Sequence, residues 1–349
     1  MKLLRAHPRL FSLVAAAGWI RLRLLRAVLC AASAVAVAQQ GTPVDTQNRE
    51  LRHARLYGVV TSKTFDNVNR NDARAALKVL FDVLGQQRGF VLDSKVDILD
   101  SVTEIRERLE SHSVELVLMG ITDYLALESS RLVVPVLTGS RSAQGGALYS
   151  YLLLVNPSSG ATTIASLRGK NILVSSRSGH NTGMAWLDVL LGKEQLGRAA
   201  SFFASIKAPG KAQACILPLF FGAVDACVVD EINLNLAKEM NPQLGQLRVL
   251  ARSRPLIESV IAMPAEPFPY QKELIDAILS LHENSRGRQL LMVLKTDRLV
   301  RIQPGDLEPA RELWTAYARL PGSPPHRPAG SGPAPAAESN PADRGKERN

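Results

Sequence analysis

Aromatic side chains make up only 5% of this 349-residue chain, which argues against a surface that stacks successive bases of single-stranded nucleic acid. Cysteine is scarcer: Cys30, Cys215 and Cys227 are the whole complement, too few for a disulfide-stapled scaffold and unable to make a zinc site by themselves. The six histidines show no metal-ligand spacing, and the chain holds no G-x-S-x-G elbow, no P-loop and no dinucleotide fingerprint. The expectation is a non-enzyme with no metal and no cofactor. Acidic residues are missing from one region. Residues 1–38 carry Lys2, Arg5, Arg9, Arg21, Arg23 and Arg26 without a single Asp or Glu, so more than half of the formal net charge of +10 sits there. The few positive charges left on the remainder are too sparse for a dominant phosphate-backbone footprint, and nucleic acid is not an expected partner.

Hydrophobic residues, at 46%, outnumber charged ones, at 21%, so the chain can bury a sizeable core. Its length suits two domains with extra segments at the ends. Residues 1–38 read as an export signal. The basic stretch ending in RLRLLR (21–26) precedes an apolar run from Ala27, and Ala36 and Ala38 supply the small side chains a signal peptidase needs to cut before Gln39. An earlier apolar run, Phe11 to Ile20, makes this signal unusually long; an uncleaved anchor is the alternative, although neither run reaches the roughly 20 apolar residues that span a bilayer. A lipoprotein signal fits poorly, because Leu29 stands before Cys30 where a small residue belongs. Residues 39–50 are a linker, and the location implied is the periplasm. Residues 321–349 are rich in Pro, Gly, Ala and Ser without apolar period and are expected to be a disordered tail. Export would leave Cys215 and Cys227 in an oxidising compartment, where they can pair; both also lie in apolar runs, as buried free thiols do.

Between the ends, strand and helix patterns alternate. LYGVV (56–60), VDILD (96–100), VELVLMG (114–120) and VVPVL (133–137) read as strands, with helices over the period Ala76, Leu77, Leu80, Phe81, Leu84, over Val102 to Leu109, and from near Tyr124. The continuous apolar run VELVLMG suits a parallel strand covered on both faces. The middle repeats the theme. ALYSYLLLVN (147–156), NILVS (171–175), SFFAS (201–205), VDACVVD (224–230), LRVLARS (247–253) and SVIAMP (259–264) are strands, with helices in MAWLDVLL and KAQACILPLFFG. Helices over Tyr270 to Glu283 and Leu307 to Leu320 end the body. The fold class is therefore α/β with two lobes. Lobe 1 takes residues 51–145 and 249–320, lobe 2 takes 146–248, and two long β runs cross between them.

Ligand sites in such lobes lie in loops at the carboxyl ends of strands. SRSGHNTG joins NILVS to a helix: its glycines permit tight turns, and Asn181 and Thr182 stand where the helix exposes unpaired N–H groups. That suits an anion cradle as well as simple N-capping. From Leu56 to Leu320 the chain resembles the phosphate/phosphite/phosphonate-type solute-binding proteins of bacterial ABC transporters, a group of type II periplasmic binding proteins. The resemblance rests on GITDY with Tyr124, SLRGKNILVS, HNTG, GAVDA with Asp225, LRVLARS and RGRQLLMVL, in that order. It implies a two-lobed type II periplasmic binding protein fold with a ligand cleft between the lobes.

It further implies that His180, Asn181, Thr182 and Gly183 hold phosphonate oxygens, that Tyr124 lines the cleft, and that Asp225 faces the amino group of an aminoalkylphosphonate. The alternative for Asp225 is an acidic residue opening a strand, kept for folding or capping. In GKAQ (210–213), Lys211 and Ala212 replace the Ser-His pair that family members often carry, so Lys211 is the candidate to supply positive charge. The implied function is the solute-binding component of an ABC importer, closing by hinge motion on a small phosphonate- or phosphate-like anion. Its partners would be that anion and an inner-membrane permease, and the protein is expected to be a monomer. An extracytoplasmic sensor signalling to a membrane protein, or an enzyme on the same fold, are the alternatives.

Overall fold

The computed structural model describes residues 52–65, 70–141, 147–175, 181–294 and 296–322. The expected export signal, the linker and all but the first two residues of the expected tail lie outside them. The described residues form one compact unit built on two sheets.

The first sheet is assembled from β1 (Arg52–Thr61), β2 (Phe90–Leu99), β3 (Leu116–Gly120), β4 (Val133–Ser140), β10 (Ser259–Pro264) and β11 (Arg298–Arg301), in the spatial order β11-β4-β10-β3-β1-β2. β1 runs parallel to β2 and β3, whereas β10 is antiparallel to β3 and β4. Every residue of β3 is buried, as its unbroken apolar run requires of a strand covered on both faces. Helices α1 (Arg70–Arg88), α8 (Gln271–Leu279) and α9 (Ser285–Val293) cover one face of this sheet through Leu77, Phe81, Leu274, Ile278 and Leu291. Gly58 makes the close approach possible, since a Cβ there would stand 2.4 Å from Phe81 Cζ. The other face carries α2 (Val102–Glu110), α3 (Ile121–Glu128) and the last helix, α10 (Glu308–Ala318).

The second sheet follows the order β7-β6-β8-β5-β9, from β5 (Tyr151–Val155), β6 (Asn171–Val174), β7 (Ser205–Lys207), β8 (Ala226–Asp230) and β9 (Arg248–Arg252). Alternate side chains divide its core. Leu153, Val155, Ile172, Val174 and Val228 face α4 (Thr182–Lys193) and the short α5 (Ala199–Phe202). Leu152, Leu154, Leu173, Cys227 and Val229 face α6 (Gln213–Phe220) and α7 (Glu231–Met240).

Two sequence expectations change here. SFFAS is a helical turn ending at Phe202, followed by β7; Phe202 and Phe203 are both buried and meet edge to face at 4.9 Å, which the alternating sides of a strand would prevent. The second crossing also lies later than Val249. β9 pairs with β5 inside the second sheet, and the chain returns to the first sheet through Ser253–Glu258. There it meets the other crossing in a two-way backbone pair, Tyr149 N–H to Leu256 O at 2.8 Å and Leu256 N–H to Tyr149 O at 3.0 Å.

Candidate functional site

Because β6, β7 and β8 run parallel and β5 runs against β8, one edge of the second sheet collects the ends of β6, β7, β8 and β9 and the start of β5. The first sheet faces it with the end of β3 at Gly120 and the start of β10 at Ser259, which are register partners. The two edges are tied by Glu258. Its carbonyl accepts the Ile121 N–H at 2.8 Å, at the start of α3, and its carboxylate accepts the hydroxyl of Tyr151, the first residue of β5. Tyr151 and Glu258 are both buried.

α4 begins at this edge. Asn181 precedes it in the left-handed conformation at φ 47° with no side-chain cap bond, and its carbonyl accepts the Ala185 N–H at 2.9 Å. Helix geometry leaves the N–H groups of Thr182, Gly183 and Met184 without intrahelical acceptors, and the aligned peptide dipoles make this end partly positive. Thr182 is only 2% exposed, and its Oγ1 is buried with no hydrogen-bond partner. Leaving a buried hydroxyl unpaired costs about 1–3 kcal/mol. Gly183 sits tightly against its neighbour: a Cβ would lie 3.0 Å from Tyr151 Cε1. The Tyr151 ring, stacked on Trp186 at 6.3 Å, therefore packs directly beneath the first turn of α4. Neither Asn181 nor Thr182 caps the helix through its side chain, so the arrangement can accept an anion on three N–H groups and one hydroxyl.

The other sequence candidates are placed variously. Lys211 is exposed, after β7 and just before α6, on the same edge. His180 lies outside the described residues. Tyr124 is buried in the first turn of α3, but its hydroxyl donates to Glu128 Oε1 at 3.2 Å. Arg311 of α10 holds that carboxylate with two nitrogens, at 2.6 and 3.0 Å. Burial first, and then the Glu128 charge, push the Tyr124 phenol up to about 12. Its hydroxyl thus runs along α3 towards Glu128 and away from the edge at Gly120, because a charged acceptor one helical turn on is available to it.

Asp225 is the clearest departure. It precedes β8 at the opposite end of the strand from Asp230, accepting the Asn171 N–H at 2.8 Å with Lys170 at 4.0 Å. The acid on the Thr182 side is Asp230, 1% exposed, whose carboxylate caps α7 through Asn233 N–H at 2.9 Å and Asn233 Nδ2 at 2.6 Å. Tyr151, Asp230 and Glu258 were not legible as site residues. The only sequence signal was polar side chains at the ends of apolar runs, and which runs share an edge depends on strand pairing. Among the described residues no cluster of three His, Cys, Asp or Glu side chains could hold a metal, and no helix is long and apolar enough to cross a membrane.

Residues 66–307 match the family described as "ABC transporter, phosphonate, periplasmic substrate-binding protein". No curated protein matches the chain. Among solved structures, XAC2383 from Xanthomonas citri bound to ATP aligns with a TM-score of 0.54 at 15% identity, over 76% of this chain and 97% of that one. PhnD1 from Prochlorococcus marinus in complex with methylphosphonate aligns with a TM-score of 0.50 at 14% identity, over 76% and 99%. At such identities these two likenesses carry the fold: a type II periplasmic binding protein.

Proposed function

The chain belongs to the family of periplasmic substrate-binding proteins of phosphonate ABC transporters, and from that membership we propose that it binds a small phosphonate-like oxyanion on the first turn of α4 and delivers it to an inner-membrane permease. The observation that carries this assignment is the buried, unpartnered Thr182 hydroxyl, which stands beside the first-turn N–H groups of Thr182, Gly183 and Met184 that have no acceptor within the helix. A phosphonate oxygen would satisfy that hydroxyl and sit at the positive end of the α4 dipole. Lys211, exposed on the same edge, adds a positive charge. Ligand contacts made from both sheet edges would favour a closed arrangement about the paired crossings, because a ligand shifts a hinge only by its differential affinity for the two states.

The experiment is isothermal titration of the full chain and of Thr182→Val with methylphosphonate, phosphate and sulfate. Valine keeps the shape and removes the donor. A hydrogen bond to a charged group is worth about 1.5–3 kcal/mol, so the variant is expected to bind the preferred anion roughly ten- to a hundred-fold more weakly. Equal affinity in parent and variant would remove Thr182 from the site. Export by residues 1–38 is part of the same reading, and amino-terminal sequencing of protein recovered from the periplasm should begin near Gln39.

A further inference from the structure

Two side chains with no part in anion binding stand against each other in the second lobe. Cys215 lies on α6 and Cys227 on β8, and both are completely buried. The strand register places Cys227 opposite Leu173 of β6. The Cys215 thiol reaches the seam between these strands, 3.3 Å from the Leu173 carbonyl oxygen and 3.5 Å from that of Val228. Cys227 projects into the same apolar cluster, where its thiol neighbours that of Cys215. Both are reduced in this structure. Burial first, and then the neighbouring Cys215 thiol, raise the Cys227 thiol well above its ordinary range. The nucleophile in disulfide chemistry is the thiolate, so the folded core suppresses oxidation, and any bond between these sulfurs has to form before they are enclosed.

We propose that Cys215 and Cys227 are joined by an intrachain disulfide made while the exported chain folds, the oxidant being a disulfide donor, either an oxidoreductase disulfide or a small one such as oxidised glutathione. One cysteine thiolate attacks the donor disulfide, forming a mixed disulfide and releasing one donor thiolate. The second cysteine thiolate then attacks the protein sulfur of that mixed disulfide, the Cys215–Cys227 bond forms, and the second donor thiolate leaves. Two electrons pass from the pair to the donor, and the two thiol protons end on the donor thiols. The finished bond staples α6 to β8 behind the edge that carries Lys211 and Asp230. The proposal rests on the extracytoplasmic reading for the donor's presence in the cell.

The test refolds the full chain from denaturant in a buffer of oxidised and reduced glutathione, blocks free thiols under denaturing conditions, and maps peptides without reduction. The expected result is a Cys215 peptide joined to a Cys227 peptide, lighter by two hydrogen atoms than the reduced pair, and separated by reductant. Cys227→Ser should lose this species and leave Cys215 blocked as a free thiol. Reductant should lower the thermal midpoint of the parent and leave that of the Cys215→Ser/Cys227→Ser double variant unmoved. Recovery of both cysteines as blocked thiols in the refolded parent, or of either joined to Cys30 instead, overturns the proposal. Methylphosphonate titration of the same preparation separates the two readings, since free thiols together with intact binding reject the disulfide alone.

Discussion

Thr182 and Tyr124 were both candidates by position, and their surroundings give them opposite characters. Thr182 holds a hydroxyl inside the protein that no other group uses, so Thr182→Val should leave the unfolding free energy unchanged or raise it by about 1 kcal/mol while affinity falls. Loss of stability in that variant by denaturant melts would instead mark Thr182 as structural. Tyr124 is fully employed by Glu128 and Arg311, and its effect is on pH. An unfolded tyrosine loses its proton near 10, whereas folded Tyr124 keeps it to about 12. Between those values the folded state binds more protons than the unfolded state, so the contribution is whole below pH 10 and is lost as pH rises towards 12. A shift of this size corresponds to on the order of 2–3 kcal/mol. Denaturant midpoints measured at pH 9 and pH 11.5 should fall less steeply in Tyr124→Phe than in the parent.

At the scale of elements, β8 acts as a ruler. Its residues rise about 3.3 Å each, which sets Asp225 roughly 15 Å from the edge where α4 begins. Asp225→Asn is therefore expected to bind methylphosphonate and an aminoalkylphosphonate within two-fold of the parent, and a selective loss of the amine-bearing ligand in titration would put Asp225 back at the site. The contact between α1 and β1 is equally exposed to test. A Cβ at position 58 would meet the Phe81 ring tip at 2.4 Å in the middle of a buried cluster. Gly58→Ala should cost about 1–3 kcal/mol through overpacking, measured by chemical denaturation, with no change in ligand affinity because the contact is on the sheet face away from α3.

On the scale of the whole molecule, the last helix spans what the two crossings connect. α10 is anchored to α3 by Arg311 on Glu128, and it leans on α4's side of the structure through Arg198, whose guanidinium lies 4.8 Å over the Tyr317 ring. Gly192 leaves the space that Leu320 fills. Ligand that binds only the folded protein should raise its stability by about 2.7 kcal/mol at a hundred-fold excess over Kd. Calorimetric melts with methylphosphonate should show that increase in the parent, with a smaller one in Thr182→Val at the same ligand concentration. No upward shift with any oxyanion would count against the binding assignment as a whole.

Much of this protein follows from local chemistry. The alternation of apolar strands with helical periods determined an α/β fold, SVIAMP coincides with β10 from Ser259 to Pro264, and HNTG before MAWLDVLL marked the start of α4, because glycine, caps and hydrophobic period act over a few residues. SFFAS shows the limit of such signals: two aromatic residues buried side by side look like a strand until the core behind them is known. Pairing decided the rest. Asp225 precedes and Asp230 ends one five-residue strand, so they lie at its opposite ends, and the parallel pairing of β8 with β6 puts Asp230 at the end where α4 begins. Glu258 and Tyr151, far apart in sequence, meet only because the two crossings run side by side. Hydrogen-bond partners across a sheet are chosen by tertiary packing, so the residues that surround the α4 terminus are a property of the folded chain.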